Sequence, residues 1–349
     1  MKKTTVAIIC GGRSSEHEIS CLSAGGVLAG LDTEKFEAIL IGITKAGNWV
    51  QLPSGYPLAI ISGVLPTVDE SLTPIVADIH GFSVDGKPLN IDVVFPTLHG
   101  PYGEDGTIQG FFETAGISYV GSGVMASATA MDKSFSKTIF AAAGMNVANG
   151  VVVTSSNWKS RIADIDYPVF VKPARGGSSR GTSKVKIASE LEAALDYAFT
   201  FDRKVMIEEA ISGREIECAV LEKDGEVMAS VVGEIVIDSK YEFYDFEAKY
   251  LDDATTVNVP ADIPTAASNE IRAKAAQAFK SLGCSGLARV DFFYTKNNEI
   301  VINEINTMPG FTCTSMYPKL MAASGVEYTD LITALIATAL SRTNGILDN

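Results

Sequence analysis

Positive charge, paired cysteines and long hydrophobic runs are all scarce in this chain, and each shortage removes a class of function. Its 28 lysines and arginines stand against 42 acids, a formal net charge of −14. Nucleic acids are gripped by clustered basic side chains, so this balance argues against a nucleic-acid surface and requires any anionic ligand to be held by a few local cations. The 5 cysteines, Cys10, Cys21, Cys218, Cys284 and Cys313, are odd in number and scattered, with no Cys-x-x-Cys pair. That pattern suits neither a disulfide framework nor a zinc site and reads as reduced thiols in a cytoplasmic protein. Nowhere do about 18 apolar residues run uninterrupted to span a membrane, and the run Val6 to Cys10 is too short for a signal peptide. What is present is ordinary globular material: 349 residues, 46% hydrophobic and 20% charged, long enough for two or three domains.

The most informative stretch is Gly286 to Gly310. Two alternating apolar runs flank Lys296-Asn297-Asn298, the signal of a tight antiparallel hairpin. With Asn297 and Asn298 as the turn, Asp291 lies opposite Glu304 and Arg289 opposite Asn306. Alternation then places Arg289, Asp291, Glu304 and Asn306 on one face and Val290, Phe292, Val301 and Ile305 on the other. Like charges facing each other across a sheet repel, so the two carboxylates call for a shared cation. Two acids and an amide form a hard oxygen set suited to magnesium, which keeps waters and binds substrate phosphates; the alternative is a solvated edge whose charges only prevent aggregation. After Asn306 the chain leaves through Pro309-Gly310, where a glycine lets backbone amides approach a ligand.

Upstream, Thr4 to Cys10 reads as a buried strand followed by Gly11-Gly12, a helix from about Glu16 to Leu31 and a strand Phe36 to Ile43, a βαβ unit with a parallel sheet. Residues 50–90 read as an irregular insertion. Within it Gly81 to Lys87 matches the start of a phosphate loop, but Pro88 stands where a hydroxyl residue is required, so a hairpin turn is expected. Ile91 to Pro96 leads into a glycine-rich loop, 98–106, holding His99, at the strand end where α/β sheets place ligands. One helix is expected from Ala126 to Ala143, with Lys133 and Lys137 one turn apart, either solvated or gripping phosphate. Lys172 ends a short strand before Ala174 to Thr182, small residues that form an anion nest and read as a flap over a nucleotide, with Arg175 adding charge. Glu208 and Glu215 are placed to take sugar hydroxyls, with a base along the edge from Ile207 to Ile211. The acidic, aromatic stretch 237–260 reads as a lid.

Taken together, GGRSSEHEIS at 11–20, LHGPYGEDG at 98–106, GSGVMASATAMDK at 121–133, KPARGGSSRG at 172–181, EAKY at 247–250 and NEINTMPG at 303–310 resemble the D-alanine–D-alanine ligases of the ATP-grasp superfamily. The resemblance implies an α/β fold in three domains: an N-terminal parallel α/β substrate domain at 1–132, a central unit at 133–217 and a C-terminal unit at 218–349, with nucleotide held between the last two. It implies ATP and two magnesium ions, manganese being the other candidate, on Asp291, Glu304 and Asn306. Lys133, Lys172 and Lys249 fall on the phosphate positions and Glu208, Ile211 and Glu215 on the adenosine positions. Glu18 matches the residue that takes the first D-alanine's ammonium, joined to Ser178 and Tyr250 across the closed lid. Arg289 and the Gly310 amide match the oxyanion stabilisers, His99 a group near the first substrate and Ser315 one near the second substrate's carboxylate. A homodimer in the cytoplasm that makes D-alanyl-D-alanine for peptidoglycan is what the resemblance implies.

Overall fold

The first strand, β1 (Thr4–Gly11), is apolar on both faces because both are covered: Val6, Ala7, Ile8 and Ile9 are each fully buried. It runs parallel to β2 (Phe36–Ile43) on one side and β7 (Val93–Pro96) on the other, the arrangement that continuous β-branched runs favour. The helix α1 (His17–Gly30) covers one face of this sheet, and β3 (Trp49–Gln51) adds an antiparallel edge. In the structure, a computed structural model, residues 2–162, 165–237 and 255–342 are described. The insertion carries a small antiparallel sheet of β4 (Val76–Asp78), β5 (Gly81–Val84) and β6 (Lys87–Pro88). Asp85 and Gly86 both have positive φ at its two-residue turn, so the glycine-lysine sequence there is a hairpin and not a phosphate loop.

After α2 (Thr107–Thr114), the single helix expected over 126–143 is two, α3 (Val124–Met131) and α4 (Lys133–Ala142). The break is Asp132, whose extended backbone lets its carboxylate accept from the amides of Ser134 and Phe135 and cap the second helix. Next comes an antiparallel sheet of β8 (Gly150–Val153), β9 (Val169–Pro173), β10 (Ser183–Val185) and β11 (Val205–Glu209). Between them run α5 (Trp158–Arg161) and α6 (Leu191–Phe199), the latter packed on Val171, Val185 and Val205.

The largest sheet holds β12 (Gly213–Lys223), β13 (Glu226–Ile237), β14 (Thr255–Asn258), β15 (Leu287–Thr295) and β16 (Ile300–Asn306), in the order β14-β13-β12-β15-β16. β12 runs through residue 217, so the second and third sheets part at residues 210–212 and not at the boundary expected from sequence. One face is sealed by α7 (Thr265–Ser281), with Ile271, Ala275 and Phe279 against Ile216, Val220 and Val290. The other face is divided. Toward one end Ala219, Leu221 and Leu287 join α1, α8 (Met316–Ala322) and α9 (Tyr328–Ser341) in a core shared with the first sheet. Toward the other end it is polar and forms the floor of a cavity. All five cysteines are free thiols, Cys10, Cys21 and Cys218 buried and Cys313 exposed.

Candidate active site

The hairpin that floors the cavity has the expected pairing for an unexpected reason. Its turn is one residue longer than Asn297-Asn298, closing between Thr295 and Glu299 with Asn298 at positive φ. That shift alone would misalign the acids. A β-bulge next to Asp291 restores the register, so Asp291 faces Glu304 and Arg289 faces Asn306. The bulge also turns the consecutive residues Asn303 and Glu304 both toward the cavity. Its second consequence corrects the expected apolar face: Ile302, and not Val301, joins Val290, Phe292 and Ile305 in the core.

The facing acids are separated by the protein's own cations. The Arg289 guanidinium forks onto Asp291 at 2.8 and 2.7 Å and also lies 3.0 Å from Glu217 of β12. Burial opposes the Arg289 charge, but Asp291 and Glu217 outweigh it and hold the guanidinium firmly protonated. Lys133, at the start of α4, reaches Glu304 at 3.2 Å and the Gly176 carbonyl at 2.6 Å, linking the strand to the flap. Asn306 donates to Asp291 at 3.0 Å. Asp291, Glu304 and Asn306 therefore converge as an all-oxygen donor set, and that chemistry fits a hard divalent ion that keeps waters and phosphate oxygens. Among the described residues no group of three or more acidic, cysteine or histidine side chains is placed to hold a metal ion by itself.

Across the cavity the charge is inverted. Glu208 on β11 is nearly fully buried and shared by two lysines, Lys137 at 2.6 Å and Lys172 at 2.7 Å. Burial pushes the Glu208 carboxyl up, but the two ammonium groups overcome it and hold the pKa below the usual range. Burial and the neighbouring Lys172 push Lys137 down to about 8. Burial opposes the charge on Lys172 too, yet Glu208 outweighs it and the pKa rises. Lys137, left open in the sequence between solvent and phosphate, is thus a buried partner of Glu208. Ile211 and Glu215 line the same end of the cavity.

The third wall is the flap. Ser178 and Ser179 both have positive φ, an uncommon conformation for residues with a side chain, and Ser178 Oγ donates to Glu16 at 2.6 Å. Two glycines make room for the Glu16 carboxylate. A Cβ on Gly100 would sit 2.5 Å from its Oε2 and one on Gly177 2.9 Å. The expected residue was Glu18, and the structure corrects it: Glu18 pairs with Lys45 and does not line the cavity. Residues two apart at a helix start point to different sides, and only Glu16, just before α1, faces the flap. Arg175 is also turned away, forked onto Asp202, while Arg180 lines the cavity.

At the far end lies the loop after β16. His99 lines the cavity, but both ring nitrogens have protein partners, Met308 O at 3.0 Å and Ser23 Oγ at 2.8 Å. Burial holds its pKa below the usual value. Glu104 accepts from the amides of Gly100 and Met308, and burial, with Glu16 nearby, pushes it up to about 8. Gly310 and Ser315 line the cavity, Ser315 Oγ accepting from the Thr312 amide at 3.1 Å. Sequence reasoning missed Glu16, Ser23, Glu104 and Glu217; only Glu16 had a local signal, its place at the helix start. Lys249 and Tyr250 lie outside the described residues. The remaining expected site residues, Lys133, Lys172, Ser178, Glu208, Ile211, Glu215, Arg289, Asp291, Glu304, Asn306, Gly310, His99 and Ser315, surround one cavity of ≈ 570 Å³.

Comparison with known proteins finds matches to both halves of the chain. Residues 5–122 match the family described as D-ala D-ala ligase N-terminus and residues 139–337 that described as D-ala D-ala ligase C-terminus. A D-alanine–D-alanine ligase of Mycolicibacterium smegmatis is 50% identical over 99% of this chain and 97% of its own, and one of Mycobacterium avium is 49% identical over 99% of each. Among solved structures, the VanG D-Ala:D-Ser ligase from Enterococcus faecalis superposes with a TM-score of 0.85 at 38% identity, covering 97% of this chain and 100% of its own. The D-alanine-D-alanine ligase from Coxiella burnetii does so with a TM-score of 0.81 at 35% identity, over 97% and 96%. With both halves matched in order and relatives about half identical over nearly the whole chain, this chain belongs to the D-alanine–D-alanine ligase family.

Proposed function

We propose that the protein joins two D-alanine molecules into D-alanyl-D-alanine, driven by ATP and releasing ADP and phosphate, as a step in peptidoglycan precursor synthesis. The observation that carries this reading is a single cavity with an acid-rich strand face on one side, a lysine-rich cluster on the other and Glu16 at the flap. Adenosine is assigned to Glu208, Ile211 and Glu215, and the phosphates to Lys133, Lys172 and, by resemblance, Lys249. A divalent ion on Asp291, Glu304 and Asn306 supplies charge neutralisation to the phosphates when bound; we assign two magnesium ions, with manganese as a substitute.

In the first step a carboxylate oxygen of one D-alanine bonds to the γ-phosphorus as the bond to ADP breaks, giving D-alanyl phosphate. Positioning and electrostatics do most of such work. Glu16, oriented by Ser178, receives the ammonium of this substrate, and Tyr250 is assigned to the same set by resemblance. In the second step the amine of the other D-alanine, having lost a proton, attacks the carbonyl carbon and phosphate leaves. Arg289 and the Gly310 amide are assigned to the oxyanion that forms, where preorganised donors contribute most, and Ser315 to the acceptor's carboxylate. His99, whose ring is fully engaged by protein, is better assigned to the wall than to substrate hydrogen bonding. Enclosure by the flap keeps water from the acyl phosphate.

No described helix is long and apolar enough to cross a membrane, and we assign the protein to the cytoplasm as a homodimer, which sedimentation equilibrium tests. The activity is tested by ADP release and product mass with D-alanine, D-serine or D-lactate as acceptor. D-alanyl-D-alanine as the main product is expected. ADP release independent of D-alanine, or a main product ending in serine or lactate, overturns the reading.

A further inference from the structure

We infer that Ser23 is a positioning residue for the amide-forming step, acting through a relay that clamps the loop carrying the Gly310 amide to the N-terminal sheet unit. The inference rests on the ligase reading above. Its geometry is explicit. Ser23 is fully buried on α1, and His99, 5% exposed, lies in the loop after β7. The Met308 carbonyl can only accept, so His99 Nδ1 carries the proton and donates to it at 3.0 Å. His99 Nε2 is then an acceptor and takes the Ser23 hydroxyl hydrogen at 2.8 Å. That leaves Ser23 Oγ as acceptor for the Phe311 amide at 3.3 Å. Every donor in this chain has one direction, and both ends grip the same loop, at Met308 and Phe311, on either side of Pro309-Gly310.

Two further contacts hold the loop in the same place. Glu104 accepts from the Met308 amide at 3.2 Å while its other oxygen accepts from Gly100 at 2.7 Å. One turn along α1 from Ser23, a Cβ on Gly26 would meet the Phe311 carbonyl at 2.8 Å and Thr312 Cα at 3.1 Å, so only glycine lets the loop backbone lie this close to the helix. Gly310 itself lines the cavity. Its N–H has no substrate charge to meet in phosphoryl transfer to the carboxylate and is needed only when the tetrahedral oxyanion forms, so the relay acts on one of two steps.

That separation defines the test. With ATP carrying 18O at the β,γ-bridging position, scrambling of that label into the β non-bridging positions reports reversible D-alanyl phosphate formation, and dipeptide release reports the second step. Wild type must first make D-alanyl-D-alanine; if it does not, the ligase reading fails before any variant is made. For Ser23→Ala we expect dipeptide formation to fall about tenfold from misplacement of one donor while scrambling persists, so the ratio of scrambling to ligation rises. Persistent scrambling also certifies that the variant is folded. Ser23→Thr keeps the hydroxyl and should return the ratio toward wild type; Ser23→Cys, with a weak donor of similar shape, should lie between and serves if the alanine form does not fold. Equal loss of scrambling and ligation, or no change in the ratio in either the alanine or the cysteine form, overturns the inference.

Discussion

Two charge clusters face each other across the cavity, one rich in lysine and the other in carboxylates. Around Glu208, two ammonium groups share one carboxylate. On the β12, β15 and β16 face, Glu217, Asp291 and Glu304 are met by Arg289 and Lys133, and Glu304 also helps to hold the charge on Lys137 and Lys172. Buried charge is costly unless it is paired, so lysines gathered on one side of a cavity and carboxylates on the other suit a ligand that carries both signs. A polyphosphate with its divalent ion does so. The difference teaches that the two clusters offer opposite charge to one ligand.

Breaking the acidic cluster should have the largest effect. Glu304→Gln keeps shape and removes one carboxylate, and turnover should fall at least about 1000-fold, about 4 kcal/mol of barrier, with thermal unfolding little changed because Glu304 is partly exposed and an amide oxygen can still accept from Lys133. Asp291 is a poorer probe, since its loss would take from the buried Arg289 the carboxylate it forks onto and leave Glu217 beside it. Near-normal ADP release by the variant would remove Glu304 from the metal set. At the flap, Glu16→Gln should cost about 100-fold in kcat/KM for D-alanine, and an unaltered value would return Glu16 to helix-start chemistry.

On the cationic side, Lys137→Met leaves Glu208 with one partner. Stability in urea should drop by about 2 kcal/mol, less than a fully orphaned buried carboxylate costs because Lys172 remains, and the KM for ATP should rise. A variant as stable as wild type would show that Lys172 alone satisfies Glu208. Glu104 sharpens the comparison through pH. Its folded pKa of about 8 lies above the unfolded value of about 4.3, so the folded state keeps a proton that the unfolded state has lost. The stability this contributes is full below about pH 4 and is lost as pH rises toward about 8. Glu104→Gln should therefore gain on wild type by at least about 1 kcal/mol between pH 5 and 8; parallel urea midpoints across that range would place the Glu104 proton elsewhere. The smallest effect is expected at Glu18→Gln, where a partly exposed pair with Lys45 is lost. Stability should move by no more than about 1 kcal/mol and D-alanine kinetics should hold, whereas a loss matching that of Glu16→Gln would reinstate Glu18.

Elements buried on both faces were legible in the sequence. β1 and the second half of β2, Leu40 to Ile43, stand out because a buried apolar run with β-branching has few alternatives to a central parallel strand, and β2 was bounded at Phe36 and Ile43 as observed. The helix break at Asp132 was not legible, since the apolar pattern continues through it and only the carboxylate's turn back onto Ser134 and Phe135 ends the first helix. The hairpin is the instructive case: the Asp291–Glu304 pairing was right although the turn was a residue too short, because the bulge that compensates has no sequence mark.

Residue chemistry and order along the chain were enough to identify the kind of site: oxygen donors on one strand face, a strand-borne lysine before a glycine-serine flap, and a glycine after the strand. These depend on local alternation and turn chemistry, which neighbouring residues impose. Which acid meets the flap, whether Lys137 is solvated or buried, and what His99 touches depend on groups far apart in the chain, Glu16 with Ser178, Lys137 with Glu208, His99 with Met308. Those choices are made when three sheets close on one cavity, since a buried polar group takes whichever partner the packing brings within hydrogen-bond reach, and no local pattern carries that information.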